Sequence, residues 1–249
     1  MGKSKDLATG ETRFVNTSGD SMTGALSVSG GANSAHLTLS GSANRGLKIS
    51  TSNPDGQNDG TVILNAQDTE SSGIYAKMAF QTAGTERMKI DNAGRVTKPN
   101  QPCFIAYTNT TFDTTTATNT IIRNLNGIHL NVGSHYITSG GTASRFVAPV
   151  TGRYFFGFQL LLGAVANSDD DIHASFWKNG GINVYANTRY NGEAANGNFG
   201  YGGYLPIIGN TLIQLAANDY IELNLYASGG PIGVHNSEGW SRFYGYLLG

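Results

Sequence analysis

The chain holds a single cysteine, Cys103, among 249 residues, and that excludes an intrachain disulfide framework. Cys103 stands between Pro102 and Phe104 at the head of an apolar stretch, where it reads as a small buried hydrophobe. Charge is also sparse: 16 Lys and Arg against 17 Asp and Glu leave a net of -1. There is no basic excess to hold nucleic acid and no acidic excess to make a disordered tail. The longest apolar run, residues 154–166, is broken by Gly157, Gln159 and Gly163 and is far shorter than the ~20 residues of a membrane-spanning helix. The opening string MGKSKDLATG lacks the apolar core of a secretion signal, and Asp6 sits where an N-myristoylation signal carries Ser or Thr. The expectation is a soluble protein made without export. No 11-residue window carries the 3.6-residue apolar period of a helix.

What the chain has in abundance is glycine, 34 residues, with many Asn, Thr and Ser. That is the composition of short strands joined by tight turns. From residue 103 onward the chain reads as successive strands at 104–107, 120–123, 129–131, 144–148, 154–164, 172–177, 182–186, 198–206, 211–215, 220–227 and 242–248. Their number and turn chemistry predict an all-β fold, a sandwich or barrel rather than a βαβ arrangement. Lys178-Asn179-Gly180 is a hairpin turn signal. The stretch FVAPVTGRYFFGF, residues 146–158, organises this half. Tyr154, Phe156 and Phe158 alternate with period two and so share one face of a strand. At about 1.5–3 kcal/mol each, three buried rings make a large contribution.

The first hundred residues read differently. Residues 1–13 form a polar arm with Lys3, Lys5, Asp6, Glu11 and Arg13. Alternating apolar pairs then recur: Leu26/Val28, Leu37/Leu39, Leu47/Ile49, Val62/Leu64, Met78/Phe80 and Met88/Ile90. Each looks like a half-buried strand. Two buried aliphatics supply roughly 3–5 kcal/mol, whereas ordering five residues costs at least about 5–10 kcal/mol of backbone entropy. Such pieces fold when other chains complete the core, and three identical chains wrapped together would do so; a single-chain sheet is the alternative. Pro99 and Pro102 bracket a linker. The expected division is an attachment arm at 1–25, an intertwined β shaft at 26–98 and a head at 99–249.

The search for chemistry is short. There is no Gly-x-Ser-x-Gly elbow, no His-Glu-x-x-His pair and no Walker-type loop, so no enzyme activity is expected. Asp169-Asp170-Asp171 makes a poor glycosidase pair, because adjacent residues point in different directions. It suits either a solvated turn or, repeated by trimer symmetry, a calcium site. No other cofactor is expected. The five histidines, His36, His129, His135, His173 and His235, show no close metal-ligand spacing. The richest recognition segment is YANTRYNGEAANGNFGYGGY, residues 185–204. Aromatic rings interleaved with Asn and Gly stack on sugar rings while amides bind hydroxyls, and the same mix serves adaptable protein contacts. Tyr185, Arg189, Tyr190, Glu193, Tyr201, Tyr204 and the later Trp240 are the candidate receptor-binding residues. Alternating tyrosines packed on a trimer axis are the competing explanation.

Phe146, Gly152, Tyr154, Phe156 and Phe158, spaced as Phe, five residues, Gly, one, Tyr, one, Phe, one, Phe, resemble the signature of the complement component 1q heads. These are relatives of the tumour-necrosis-factor fold. Leu125, Asn131 and Tyr136 keep that family's spacing among themselves, with about three extra residues near Ser139-Gly140-Gly141-Thr142. The strings from Leu212 to Leu215 and Ala217 to Leu223 look like its paired late strands, although Asn218 replaces the usual Gly. Phe243, Tyr244, Gly245 and Tyr246 look like its closing strand. This resemblance implies a trimeric jelly-roll head. Residues 14–26, with Gly19-Asp20-Ser21-Met22-Thr23-Gly24, resemble a segment near the start of bacteriophage tail-fibre proteins. Residues 86–96 look like a stretch found where such shafts meet their tips. Together the resemblances imply a homotrimeric virion fibre, assembled in a host cytoplasm. Its arm would dock on another tail or adaptor protein, and its head would bind a host-surface receptor, with glycan the expected chemistry. No nucleic-acid or membrane-inserted partner is expected. A purely structural virion appendage, its head a trimerisation clamp, is the alternative; a polysaccharide-cleaving spike is the other rival class.

Overall fold

The structure, a computed structural model, describes residues 35–40, 45–51, 62–68, 77–109, 112–113, 119–140, 144–163, 171–181, 185–190, 204–228, 232–236 and 239–249. The chain divides into two compact units, Met1–Gln81 with Lys89–Thr97 and Thr82–Met88 with Lys98–Gly249. Every regular element among the described residues is a strand.

In the N-terminal part, β1 (Ala35–Ser40), β2 (Arg45–Thr51) and β3 (Val62–Asp68) pair antiparallel in chain order. The apolar pairs Leu37/Leu39, Leu47/Ile49 and Val62/Leu64 therefore lie on strands joined within one chain. Ile63 and Leu64 are consecutive and so point to opposite faces, yet both are exposed. The pair Leu26/Val28 lies outside the described residues. A second small sheet holds β4 (Met78–Thr82), β5 (Thr85–Ile90) and β6 (Val96–Thr97). Its last turn is tied by Asp91, whose Oδ1 accepts the Ala93 and Arg95 amides at 2.9 and 3.0 Å while Oδ2 takes Arg95 Nε at 2.7 Å.

The C-terminal unit is built from β7 (Cys103–Tyr107), β8 (Phe112–Asp113), β9 (Thr120–Ile121), β10 (Gly127–Val132), β11 (Tyr136–Ile137), β12 (Arg145–Val147), β13 (Gly152–Gly163), β14 (Ile172–Lys178), β15 (Tyr185–Tyr190), β16 (Leu205–Leu215), β17 (Tyr220–Ala227), β18 (Gly233–Val234) and β19 (Arg242–Leu247). One sheet runs β10-β7-β19-β13-β18-β8, with β16 also on β13. The other runs β11-β12-β17-β14-β15, with β9 also on β17. The eight principal strands, in chain order β7, β12, β13, β14, β15, β16, β17 and β19, pair from the outside in. The first meets the last, the second the seventh, the third the sixth and the fourth the fifth. One antiparallel ribbon folded over on itself has this nesting, and its two halves close into a double-sheet jelly roll.

The core lies between the sheets. Tyr154, Phe156 and Phe158 are all fully buried on the inner face of β13. They meet Phe104 and Phe243 from the same sheet and Phe146 and Phe176 from the other, and Tyr136 joins the cluster through Phe104 and Phe243. Phe104 stacks on Tyr136 with centroids 4.7 Å apart and on Phe146 at 5.1 Å, and Phe158 meets Phe176 edge-on at 5.1 Å. Asn131 explains its fixed spacing to Tyr136. Its amide donates to the Tyr136 carbonyl at 2.9 Å and its oxygen accepts the Tyr136 N–H at 3.0 Å, clamping the intervening turn. Tyr136 then pairs with Phe146 across the β11–β12 hairpin.

Three readings of the sequence are corrected here. Residues 205–215 form one strand, β16, where the sequence reads as separate strands at 198–206 and 211–215. Gly209 marks a close approach rather than a turn, since a Cβ there would stand 2.6 Å from the Phe158 ring. The strand placed at 182–186 meets β15, which runs on to Tyr190 as Tyr185–Tyr190; residues 182–184 lie outside the described residues. Cys103 is half-buried, on the outer side of β7 with Ile105 and Tyr107 rather than in the core. The turn at Lys178-Asn179-Gly180 forms as read, with φ of 54° at Asn179 and 69° at Gly180, the left-handed pair that suits a tight hairpin.

Candidate functional site

The outer side of the first sheet is assembled by register. On it Phe155 stands between Leu212 of β16 and Tyr246 of β19, and Tyr246 is followed by Cys103 of β7. The next row holds Asn210, Gly157, Tyr244, Ile105 and Leu130. Leu212 is 60% exposed and Tyr246 42%, and Leu130 is exposed as well. A cavity of about 550 Å³ opens over this area, lined in part by Cys103, Ile105, Leu130, Tyr244 and Tyr246. Desolvation raises the Cys103 thiol above its ordinary value, so it stays protonated and is a weak nucleophile. A contiguous apolar face of this kind on a solvated sheet marks an interaction surface.

Further along the same side the chemistry changes. Gln159 of β13 stands between Ile208 of β16 and Arg242 of β19, and Leu161 stands beside Pro206. Beyond them three rings form a corner. Tyr204, just before β16, lies over Gly163, where a Cβ would come within 3.2 Å of the ring. His235, just after β18, is anchored by its N–H to the Leu161 carbonyl at 2.8 Å. Its ring centre is 4.6 Å from Trp240 and 5.3 Å from Tyr204. Tyr204 and Trp240 are 6.5 Å apart and nearly perpendicular, at 80°. Trp240 also walls a cavity of about 240 Å³ whose other lining residues are Gln159, Leu160, Leu161 and Pro206.

Of the residues singled out in the sequence, Tyr204 and Trp240 are therefore brought together. Tyr185, Arg189 and Tyr190 lie on β15, the edge strand of the second sheet, opposite Phe176, His173 and Ile172 of β14. Glu193 and Tyr201 lie outside the described residues, as do Asp169 and Asp170. Asp171 opens β14 by accepting the Ser228 N–H on its carbonyl at 3.0 Å and giving its own N–H to Ser228 Oγ at 2.7 Å. Its carboxylate stands 4.0 Å from His173 Nδ1. Among the described residues no group of three His, Cys, Asp or Glu side chains could hold a metal ion. The residues of the family pattern, Phe146, Gly152, Tyr154, Phe156, Phe158 and Gly245, all lie in the packed interior or against it. His235, Gln159, Leu161 and Pro206 were not among the candidates. Gln159, Leu161 and Pro206 join the corner through strand pairing, His235 shares its connection with Trp240, and no local motif signals them.

No protein-family model and no curated protein matches the chain. Solved structures do resemble it. The globular domain of zebrafish complement 1qA protein is 13% identical over 60% of this chain and 98% of its own, with a TM-score of 0.39. Murine APRIL in crystals at pH 8.5 is 13% identical over 59% of this chain and 99% of its own, at 0.43. The jelly-roll assignment rests on the nested strand pairing itself.

Proposed function

We propose that this chain is a virion fibre protein of the bacteriophage tail-fibre type. Its jelly-roll head self-associates as a homotrimer and binds a host-surface receptor without chemical conversion. The observation that carries the reading is the apolar outer side of the first sheet. Leu212, Phe155, Tyr246, Tyr244, Ile105 and Leu130 form one patch that a second copy would cover. Burial of such a patch, at roughly 25 cal/mol per Å² of apolar area, favours association. Exposed apolar residues of the N-terminal sheets, Ile63, Leu64, Phe80 and Val96, are further side chains that lateral contacts with identical chains would remove from water. The resemblance of residues 14–26 to the start of tail-fibre proteins supports an arm that docks on another virion protein. Three copies of a weak receptor site on one tip would raise avidity by roughly 10²–10⁴.

The test has two readings. Sedimentation equilibrium of the full chain gives its mass, and three protomers are expected. The labelled trimer is then offered to a panel of bacterial strains, where saturable binding that blocks phage adsorption supports the receptor-binding role. A stable trimer that binds no cell supports the structural appendage instead. A monomer at micromolar concentration overturns both.

A further inference from the structure

We propose that the corner of Tyr204, His235 and Trp240, with the adjoining cavity at Gln159, Leu161 and Pro206, is a saccharide subsite that takes one neutral pyranose ring against Trp240. This rests on the adhesion reading and names the surface and ligand class through which it works.

Four observations carry it. First, two large rings are left in water side by side, Trp240 at 47% and Tyr204 at 40% exposure. The His235 ring packs against both, and its Nδ1 is buried with no hydrogen-bond partner among the described residues. Tyr204 and Trp240 also touch each other edge to face, so the three rings brace one another and the ring surfaces left in water are held in place. Second, the rings are nearly perpendicular. A flat ligand stacked on Trp240 would meet the Tyr204 ring at its side, an arrangement suited to the apolar C–H face and equatorial rim of a pyranose.

Third, the adjoining cavity of about 240 Å³ is smaller than the ~300–1,000 Å³ of drug-sized pockets and fits a single ring. Its lining contains no charged side chain. The polar groups at hand are the Gln159 carboxamide, the Trp240 indole N–H and the Tyr204 hydroxyl, and none is engaged by a hydrogen bond among the described residues. Together they offer donors and acceptors for hydroxyl groups; Arg242 pairs with Gln159 on the next strand but does not line the cavity, so the preferred ligand is an uncharged ring. Fourth, the corner is set apart from the self-association patch by the Gln159 and Arg242 row. A trimer closed through Leu212, Phe155 and Tyr246 would leave it accessible.

The experiment uses the full chain on a glycan array carrying neutral hexoses, N-acetylhexosamines and deoxyhexoses beside sialylated and other acidic glycans, with the same strain panel in parallel. Binding to at least one neutral glycan is expected. Trp240→Ala and Tyr204→Ala should each weaken it at least about tenfold, as truncation of a buried aromatic anchor does, with the sedimentation mass unchanged. Gln159→Leu, a variant that keeps the strand, should shift which glycans are bound. Glycan binding that survives both aromatic substitutions refutes the corner while leaving adhesion intact. Cell binding without any glycan binding, or binding confined to acidic glycans, refutes the neutral-saccharide assignment. A change of mass in Trp240→Ala makes the corner a contact between copies and overturns the subsite. An intact trimer that binds neither cells nor glycans overturns the adhesion reading as well.

Discussion

Phe155 and Tyr246 lie with ring centres 5.4 Å apart on the outer side of the first sheet, each with its back to a fully buried core. If the proposed trimer closes through this face, replacing the exposed neighbours, Leu212→Glu and Tyr246→Glu, is expected to lower the sedimentation mass to that of a monomer at micromolar concentration. Far-ultraviolet circular dichroism should be unchanged, because neither side chain enters the core. A trimer that persists in the double variant would place the subunit contact on another surface.

Asp219 ties the β14–β15 turn to the β16–β17 turn. Lys178 Nζ lies 2.7 Å from its Oδ2, Asn179 Nδ2 donates to Oδ1 at 2.7 Å and the Ala216 N–H donates to Oδ2 at 2.8 Å. These contacts, Lys178 foremost, lower its pKa from the ordinary 3.8 to about 2. A carboxylate with a depressed folded-state pKa stabilises the fold above its unfolded value and loses that contribution as pH falls through the folded one. Asp219→Asn should therefore lower stability by about 1 kcal/mol at pH 6, the scale of a partly exposed ion pair. The gap should close between about pH 4 and pH 2, read as urea midpoints across that range.

Gly245 of β19 passes directly beneath the aromatic core. A Cβ there would stand 2.6 Å from Phe156 Cδ1 and 2.8 Å from the Phe155 carbonyl oxygen. The obstacle includes backbone, so repacking of side chains cannot relieve it. Gly245→Ala is expected to cost about 1–3 kcal/mol or more, seen as a lower melting temperature. Gly84→Ala meets no atom within 4 Å but sits at a φ of 74°. Its smaller loss would come from backbone strain alone.

The Tyr136 hydroxyl donates to the Leu125 carbonyl at 2.9 Å inside the core, and burial pushes its phenol pKa far up. Tyr136→Phe keeps the ring stacked on Phe104 and leaves a buried carbonyl short of a donor. A loss of about 1–3 kcal/mol is expected in denaturant unfolding, with the sedimentation mass unchanged.

The sequence by itself determined most of the longer strands of the head and, on β13, the face that is buried. Tyr154, Phe156 and Phe158 could alternate in only one way against a core, and Asn179-Gly180 admitted a left-handed turn at little cost. Periodicity and turn chemistry are local, so one-dimensional order carries them. Tertiary structure alone decided what local order cannot encode. Gly209 falls between two strands in the sequence reading, and Gly245 gives no reason for being glycine, until Phe158 and Phe156 are seen to occupy the space their side chains would need. Cys103 reads as a core residue until its strand is placed in the sheet and its side chain falls with Ile105 and Tyr107 on the outside. Tyr204 precedes β16, whereas His235 and Trp240 share the connection from β18 to β19. The three meet because the folded ribbon sets β16, β18 and β19 around β13, and that closeness comes from backbone pairing between distant strands, which no spacing along the chain records.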